Sequence, residues 1–329
     1  MEETDVVSFR VEEQLKFLDP IIAKWFNSKY EGLTEPQVKA IPLIHLKKNV
    51  LVSSPTGTGK TMTGFLAILN ELFLMSREDR LEDKIYCLYI SPLKALANDI
   101  TKNLNTPLDE IYEIAKEQNV QLPKIRVAVR SGDTSQNDRQ KMLRKPPHIL
   151  ITTPESFSLA LSAPKFREKF KDLKYVILDE IHEISATKRG ALLSVNLERL
   201  ESVAGSHFVR IGLSATQAPL DKIATYLCGY DGEKPRDFTI IDVDTKRFLD
   251  LSTITPVNDL TRTSYEVAND RMYDILVKLI NEHKTTLVFT NTRSGTEHVA
   301  MRLKARGIDE IEAHHSSLER RHGWRLNKN

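Results

Sequence analysis

The chain has 329 residues, enough for about two domains that each bury a core. Hydrophobic residues make up 40% and charged residues 28%, and 47 Lys+Arg against 45 Asp+Glu leave a formal charge of +2. That excludes a uniform electrostatic pull toward nucleic acid or membrane, though not a local basic surface, and no run approaches the ~18 apolar residues of a membrane helix.

A short β-branched run, a turn and a helical stretch recur along the chain. Residues 49–53 predict a strand, followed by a Gly-rich turn and a helix over 60–73. A strand over 85–90 precedes a helix after Pro92, and further strands are expected at 125–129, 148–152, 174–179 and 208–213. Their apolar residues come in runs rather than strict alternation, as strands buried on both faces require. Strands alternating with helices imply βαβ units, hence an α/β fold with a mostly parallel sheet flanked by helices. Residues 242–265 break the rhythm with polar residues and Pro256. A helix near 272–282, a strand at 286–290 and a helix from 294 to 306 follow. The boundary is placed near residue 245, giving domains 1–244 and 245–329. The second is short for a complete α/β lobe.

Ser53-Ser54-Pro55-Thr56-Gly57-Thr58-Gly59-Lys60-Thr61 follows a predicted strand and opens a helix. That context suits a phosphate-binding loop. Glycines let backbone N–H groups curl around an anion at a helix N-terminus, where the dipole favours negative charge. Lys60 would reach the β- and γ-phosphates of ATP, and the Thr61 hydroxyl would ligate Mg²⁺. The position usually held by the first glycine is Ser54, so the strict pattern is missed. A turn that merely joins strand to helix is the bland alternative.

Tyr175-Val176-Ile177-Leu178 runs into Asp179-Glu180-Ile181-His182. At a strand end, Asp179 is placed to hold Mg²⁺ through its waters, and Glu180 to polarise the water that attacks the γ-phosphate. Ligands of open α/β sheets sit at the carboxyl ends of strands, the same edge as the phosphate loop. Upstream, Gln37 could pair with adenine through both ends of its amide, with an aromatic of Trp25, Phe26 or Tyr30 stacking on the ring. Gln37 could equally be an ordinary surface residue. No Asn-Lys-x-Asp occurs, which argues against a guanine-specific GTPase. Two cysteines far apart, Cys87 and Cys228, support neither a disulfide framework nor a thiolate metal site. With an acidic start and no leader pattern, a cytoplasmic location is expected.

Together, Gln37, the Lys60 loop and the Asp179–His182 box resemble the superfamily 2 helicases. Ser214-Ala215-Thr216 adds to the resemblance, with His182 and these three residues implied to couple the ATP site to the nucleic-acid groove. The bland reading of Ser214 and Thr216 is a helix N-cap ahead of Pro219. Pro92 and Lys94, with Thr153, Pro154 and Glu155, are similar to the family's strand-gripping turns. Asn291, Arg293, His315 and Ser316 are similar to the opening motifs of its second RecA-like lobe, though a solvated turn would also account for Asn291 and Arg293. Ala186-Thr187-Lys188-Arg189-Gly190, Leu197-Glu198-Arg199-Leu200, Arg210 to Thr216 and the His314-His315 pair look most like the large helicase-related group.

The resemblance implies a RecA-like first lobe and an incomplete second one, since the later arginine-bearing motifs of that lobe are missing. It implies an ATP- and Mg²⁺-dependent motor on single-stranded or tailed duplex nucleic acid, with DNA and 3′-to-5′ travel favoured. A separate chain could supply the missing motifs. The alternative is an ATP- and nucleic-acid-binding fragment with little activity of its own.

Overall fold

A computed structural model describes residues 15–55, 57–92, 94–215, 219–243 and 250–313; the side chains at 15 and 94–103 are not among them. Thr56, Thr216, His315, Ser316 and the Lys94 side chain therefore lie outside the described residues. The chain divides into two compact units, Met1–Lys246 and Arg247–Asn329.

In the first unit the strands are β1 (Val50–Ser53), β2 (Cys87–Ile90), β3 (Val127–Arg130), β4 (Ile149–Thr152), β5 (Tyr175–Leu178) and β6 (Val209–Ser214). A small antiparallel pair follows, β7 (Tyr230–Asp231) with β8 (Lys234–Pro235), and then β9 (Thr239–Asp242). Seven of these form one sheet in the order β3-β4-β2-β5-β6-β1-β9, and every neighbouring pair is parallel. The apolar runs have their expected cause. Val50, Val52, Tyr89 and Ile177 pack into one buried layer, while Leu51, Leu88, Val176 and Leu178 pack into the other. Side chains alternate across a strand, so both faces must be apolar when helices cover both.

One layer holds the helix Lys60–Arg77, which has thirteen buried residues on a face wide enough to cover the sheet. The other holds the helices Pro154–Ser162, Lys188–Ala204 and Leu220–Cys228. Two helices ahead of the sheet, Pro20–Lys29 and Glu35–His45, join the first layer. Asp19 caps the first of them, accepting from the Ile21 N–H at 2.9 Å, and its buried carboxylate also pairs with Arg77. That pair ties the start of the Pro20–Lys29 helix to the last turn of the Lys60–Arg77 helix. Neither these two helices nor β9 is predicted by the sequence pattern.

In the second unit the helices Tyr265–Glu282 and Arg293–Lys304 are present. The strand expected at 286–290 is not: those residues carry no strand, and Leu287 and Phe289 are 79% and 89% exposed. A strand needs a neighbour for its N–H and C=O groups, and no strand among the described residues of this unit supplies one.

Candidate ATP and nucleic-acid site

The phosphate loop runs from the end of β1 into the Lys60–Arg77 helix. Gly57 and Gly59 have φ of 84° and 83°, the left-handed region where side chains are strained. Ser54, standing where a glycine is usual, is fully buried. Its N–H donates to the Ser214 carbonyl at 3.2 Å, and its hydroxyl lies 2.8 Å from that of Thr58, which also donates to the Pro55 carbonyl at 2.8 Å. Ser54 thus ties the loop to β6 rather than opening it. Lys60 donates to the Ser54 carbonyl at 2.6 Å. Burial lowers its pKa, and the charges of Glu180 and Asp179 pull it back up.

Asp179 follows β5, with its N–H donating to the Ile90 carbonyl at 2.9 Å. Its carboxylate is 5% exposed, and both oxygens are engaged: the Tyr89 hydroxyl donates to Oδ2, and the Glu180 N–H donates to Oδ1 at 2.9 Å. Burial raises the carboxyl pKa and the Tyr89 hydrogen bond opposes that rise. Glu180 has φ of 46°, a left-handed residue just past the end of β5. Neither Tyr89 nor its stacking partner Phe65, at 4.9 Å between ring centroids, stood out in the sequence; an apolar run hides which of its members carries a hydroxyl into the core.

A cavity of about 690 Å³ is lined by Gly57, Lys60, Thr61 and Glu180 and also by Trp25 and Tyr30. It brings together loop glycines, an ammonium, a carboxylate and aromatic side chains. Gln37 does not line it. Its carbonyl oxygen accepts from the Thr34 N–H at 2.9 Å in a capping box, and a Cβ built on Gly59 would lie 3.1 Å from its amide nitrogen. Thr34 uses one of the two lone pairs of the amide oxygen, and the amide nitrogen stands behind the loop at Gly59.

The oxygens present suit a hard divalent cation such as Mg²⁺, which takes one or two protein oxygens plus phosphates and waters. Asp179 and the Thr61 hydroxyl are such oxygens. Each Asp179 oxygen accepts one protein hydrogen bond and keeps a lone pair for the ion or its waters. No group of three or more His, Cys, Asp or Glu among the described residues could cage a metal by itself.

His182 bridges to β6. Its Nδ1 lone pair faces the Ala215 N–H at 3.3 Å and the Ser214 hydroxyl at 3.5 Å, with Glu180 at 3.4 Å. Ser214 is a strand residue, and the Leu220–Cys228 helix is capped at Pro219 without a side-chain hydrogen bond, which disposes of the capping alternative for Ser214.

Along the same sheet edge, Thr153 caps the Pro154–Ser162 helix through the Ser156 N–H. The Glu155 carboxylate is paired with Arg189, whose Nε lies 2.5 Å from Oε1, and Arg189 Nη2 also donates to the Pro92 carbonyl at 2.9 Å. One guanidinium therefore joins both turns expected to grip a strand. In the second unit Asn291 is exposed, Thr292 caps the Arg293–Lys304 helix and Arg293 begins it.

A sequence profile of the DEAD/DEAH box helicases matches residues 34–223, more than half of the chain. The chain belongs to this family. It is 52% identical over 94% of its length to the ATP-dependent helicase Lhr-Core of Methanocaldococcus jannaschii, covering 36% of that protein. With the Lhr-Core protein 2 of Thermococcus barophilus it shares 51% identity, over 94% of this chain and 36% of the relative. Among solved structures, the Mycobacterium smegmatis helicase Lhr bound to ssDNA and AMP-PNP superposes with a TM-score of 0.79 at 36% identity, covering 93% of this chain and 39% of the other. Within the family the chain thus groups with the Lhr helicases and carries their RecA-like fold, and it spans about a third of the length of these relatives.

Proposed function

We propose that this chain carries the nucleotide-binding lobe of an ATP-dependent nucleic-acid motor and the start of a second lobe, within bounds close to 1–244 and 245–329. The observation that carries the reading is convergence: Lys60, Glu180 and the loop glycines face one cavity, with Asp179 and Ser214 at the neighbouring strand ends. On binding, the phosphates would draw Lys60 from the Ser54 carbonyl, and the loop N–H groups would cradle them. Thr61 and Asp179 would hold Mg²⁺, which neutralises charge on the β- and γ-phosphates. Glu180 would orient the attacking water and take its proton. The adenine would lie against Trp25 and Tyr30.

His182 touches both Glu180 and the Ser214-Ala215 turn, a route by which a change at the γ-phosphate would reach the strand-gripping edge; Thr216 would share that coupling role. Pro92, Lys94, Thr153 and Pro154, together with Asn291, Arg293, His315 and Ser316, would grip the sugar–phosphate backbone. Such contacts carry no sequence information, as a motor needs. The relative solved with ssDNA supports DNA as the strand; 3′-to-5′ travel follows from the family resemblance.

Stimulation of ATP hydrolysis by single-stranded DNA, measured beside displacement of a tailed duplex, tests the reading. Stimulated turnover is expected, and a chain that neither binds ATP nor responds to the strand would refute it. The exposed Leu287 and Phe289 favour a second reading, a lobe that binds ATP and DNA but displaces no strand without a partner chain to complete it. Turnover without displacement selects that reading.

A further inference from the structure

We propose that Arg189 is a positioning residue for strand binding: it sets the spacing of the Pro92 and Thr153-Pro154-Glu155 turns and holds the Glu155 carboxylate away from an incoming phosphate. The inference rests on the strand-gripping role proposed above for those turns.

Glu155 sits in the first turn of the Pro154–Ser162 helix, where free N–H groups and the helix dipole attract anions. A carboxylate loose at that place competes with a backbone phosphate for the same N–H groups and repels it. Arg189 removes both obstacles. Its Nε holds Glu155 Oε1, and the hydrogen bond keeps that carboxyl below the usual glutamate range. Its Nη2 reaches the other turn at the Pro92 carbonyl. The planar fork of arginine can make two such bonds in fixed directions; lysine has a single nitrogen to offer.

The backbone beside Arg189 is itself anchored. Thr187 caps the Lys188–Ala204 helix through the Gly190 N–H at 3.2 Å, and the Gly190 carbonyl accepts from Tyr226 at 2.8 Å. A Cβ at Gly190 would stand 2.2 Å from the Ile184 carbonyl oxygen. Ile184 lies in the helix Ile181–Ser185, directly after Glu180. Arg189 is therefore seated on the segment that continues from the ATP site.

The experiment measures single-stranded DNA affinity and strand-stimulated ATPase for the full chain, Arg189→Ala, Arg189→Lys and the double variant Arg189→Ala/Glu155→Gln. Arg189→Ala is expected to bind DNA about tenfold more weakly, the worth of one uncompensated like charge near a phosphate at intermediate dielectric. The DNA concentration for half-maximal ATPase should rise by the same factor, with the KM for ATP unchanged. Arg189→Lys should recover little. The double variant should recover the part of the loss that comes from the repelling charge and keep the part that comes from the lost Pro92 bond; a merely structural role for Arg189 predicts no recovery. Wild-type affinity in Arg189→Ala, or a double variant as weak as the single one, overturns the inference alone. A wild-type chain that binds no DNA overturns it together with the strand-gripping reading.

Discussion

The Tyr89 hydroxyl, stacked behind Phe65, donates to Oδ2 of Asp179 across the β2–β5 pair. A buried carboxylate pays a desolvation cost that raises its pKa, and this hydrogen bond to the charged form opposes it. The ionised state of the residue proposed to hold the metal thus depends on a tyrosine at the end of a neighbouring strand.

Tyr89→Phe should therefore raise the Asp179 pKa further. The acid limb of the ATPase pH profile is expected to move to higher pH by about one to two pH units, the worth of the roughly 1.5–3 kcal/mol of a hydrogen bond to a charged group, with a raised KM for Mg·ATP. An acid limb in the same place would assign it to another group.

Lys60→Ala removes the ammonium facing the phosphates. Fluorescent ATP-analogue titration should show affinity about 10–100-fold weaker, the worth of one charge-assisted hydrogen bond, with the melting temperature little changed because, among the described residues, the ammonium's hydrogen bond is to the Ser54 carbonyl.

Gln37→Ala removes one half of a capping box and the amide behind Gly59. The expected cost is about 1 kcal/mol of stability, and affinities for ATP and GTP should fall in parallel. A loss confined to ATP would instead assign Gln37 a direct contact with the base.

Gly190→Ala drives a methyl into the Ile184 carbonyl, which is backbone and cannot step aside. Denaturant titration should show a loss of about 1–3 kcal/mol. Gly205→Ala, where a Cβ meets nothing within 4 Å, serves as the comparison, and its cost should come from backbone strain at φ 72° alone.

His148 is 2% exposed and accepts from the Arg126 N–H at 3.2 Å through Nδ1. Burial, with the Arg126 guanidinium behind it, lowers its pKa from 6.5 to about 4. A depressed folded pKa means that the unfolded chain binds the proton first. Stability from neutral His148 is therefore full above about pH 6.5 and is lost as pH falls toward 4, up to roughly 3 kcal/mol at ~1.4 kcal/mol per pH unit. His148→Asn, which keeps an acceptor but no titration, should flatten the melting temperature across that range.

Local chemistry made much of the molecule legible beforehand. The phosphate loop and the Asp179-Glu180 pair are contiguous residues whose function lies in their spacing, and the runs at β1, β2, β4, β5 and β6 must be apolar because both faces are covered. Edges are harder to read. β9 holds its place by pairing with β1, and its exposure pattern mixes outward and inward residues. The run at 286–290 has strand composition, yet composition cannot provide a neighbour to pair with.

Side-chain roles divided along the same line. The residues that suggested the large helicase-related group include Glu198 and Arg210, and in the fold these form a partly buried network with Arg236 and Glu201 that braces β6. Arg189 belonged to the same signature, and only the fold set it against Glu155, 34 positions away, and Pro92, 97 positions away. Gln37 carried the chemistry to read a base, and the fold set its amide against Thr34 and Gly59. The sequence by itself determined the βαβ rhythm, the phosphate loop and the paired carboxylates, because each is written in neighbouring residues. Tertiary structure alone decided which polar groups meet, because hydrogen bonds between distant segments depend on how helices and strands pack, and no local spacing records that.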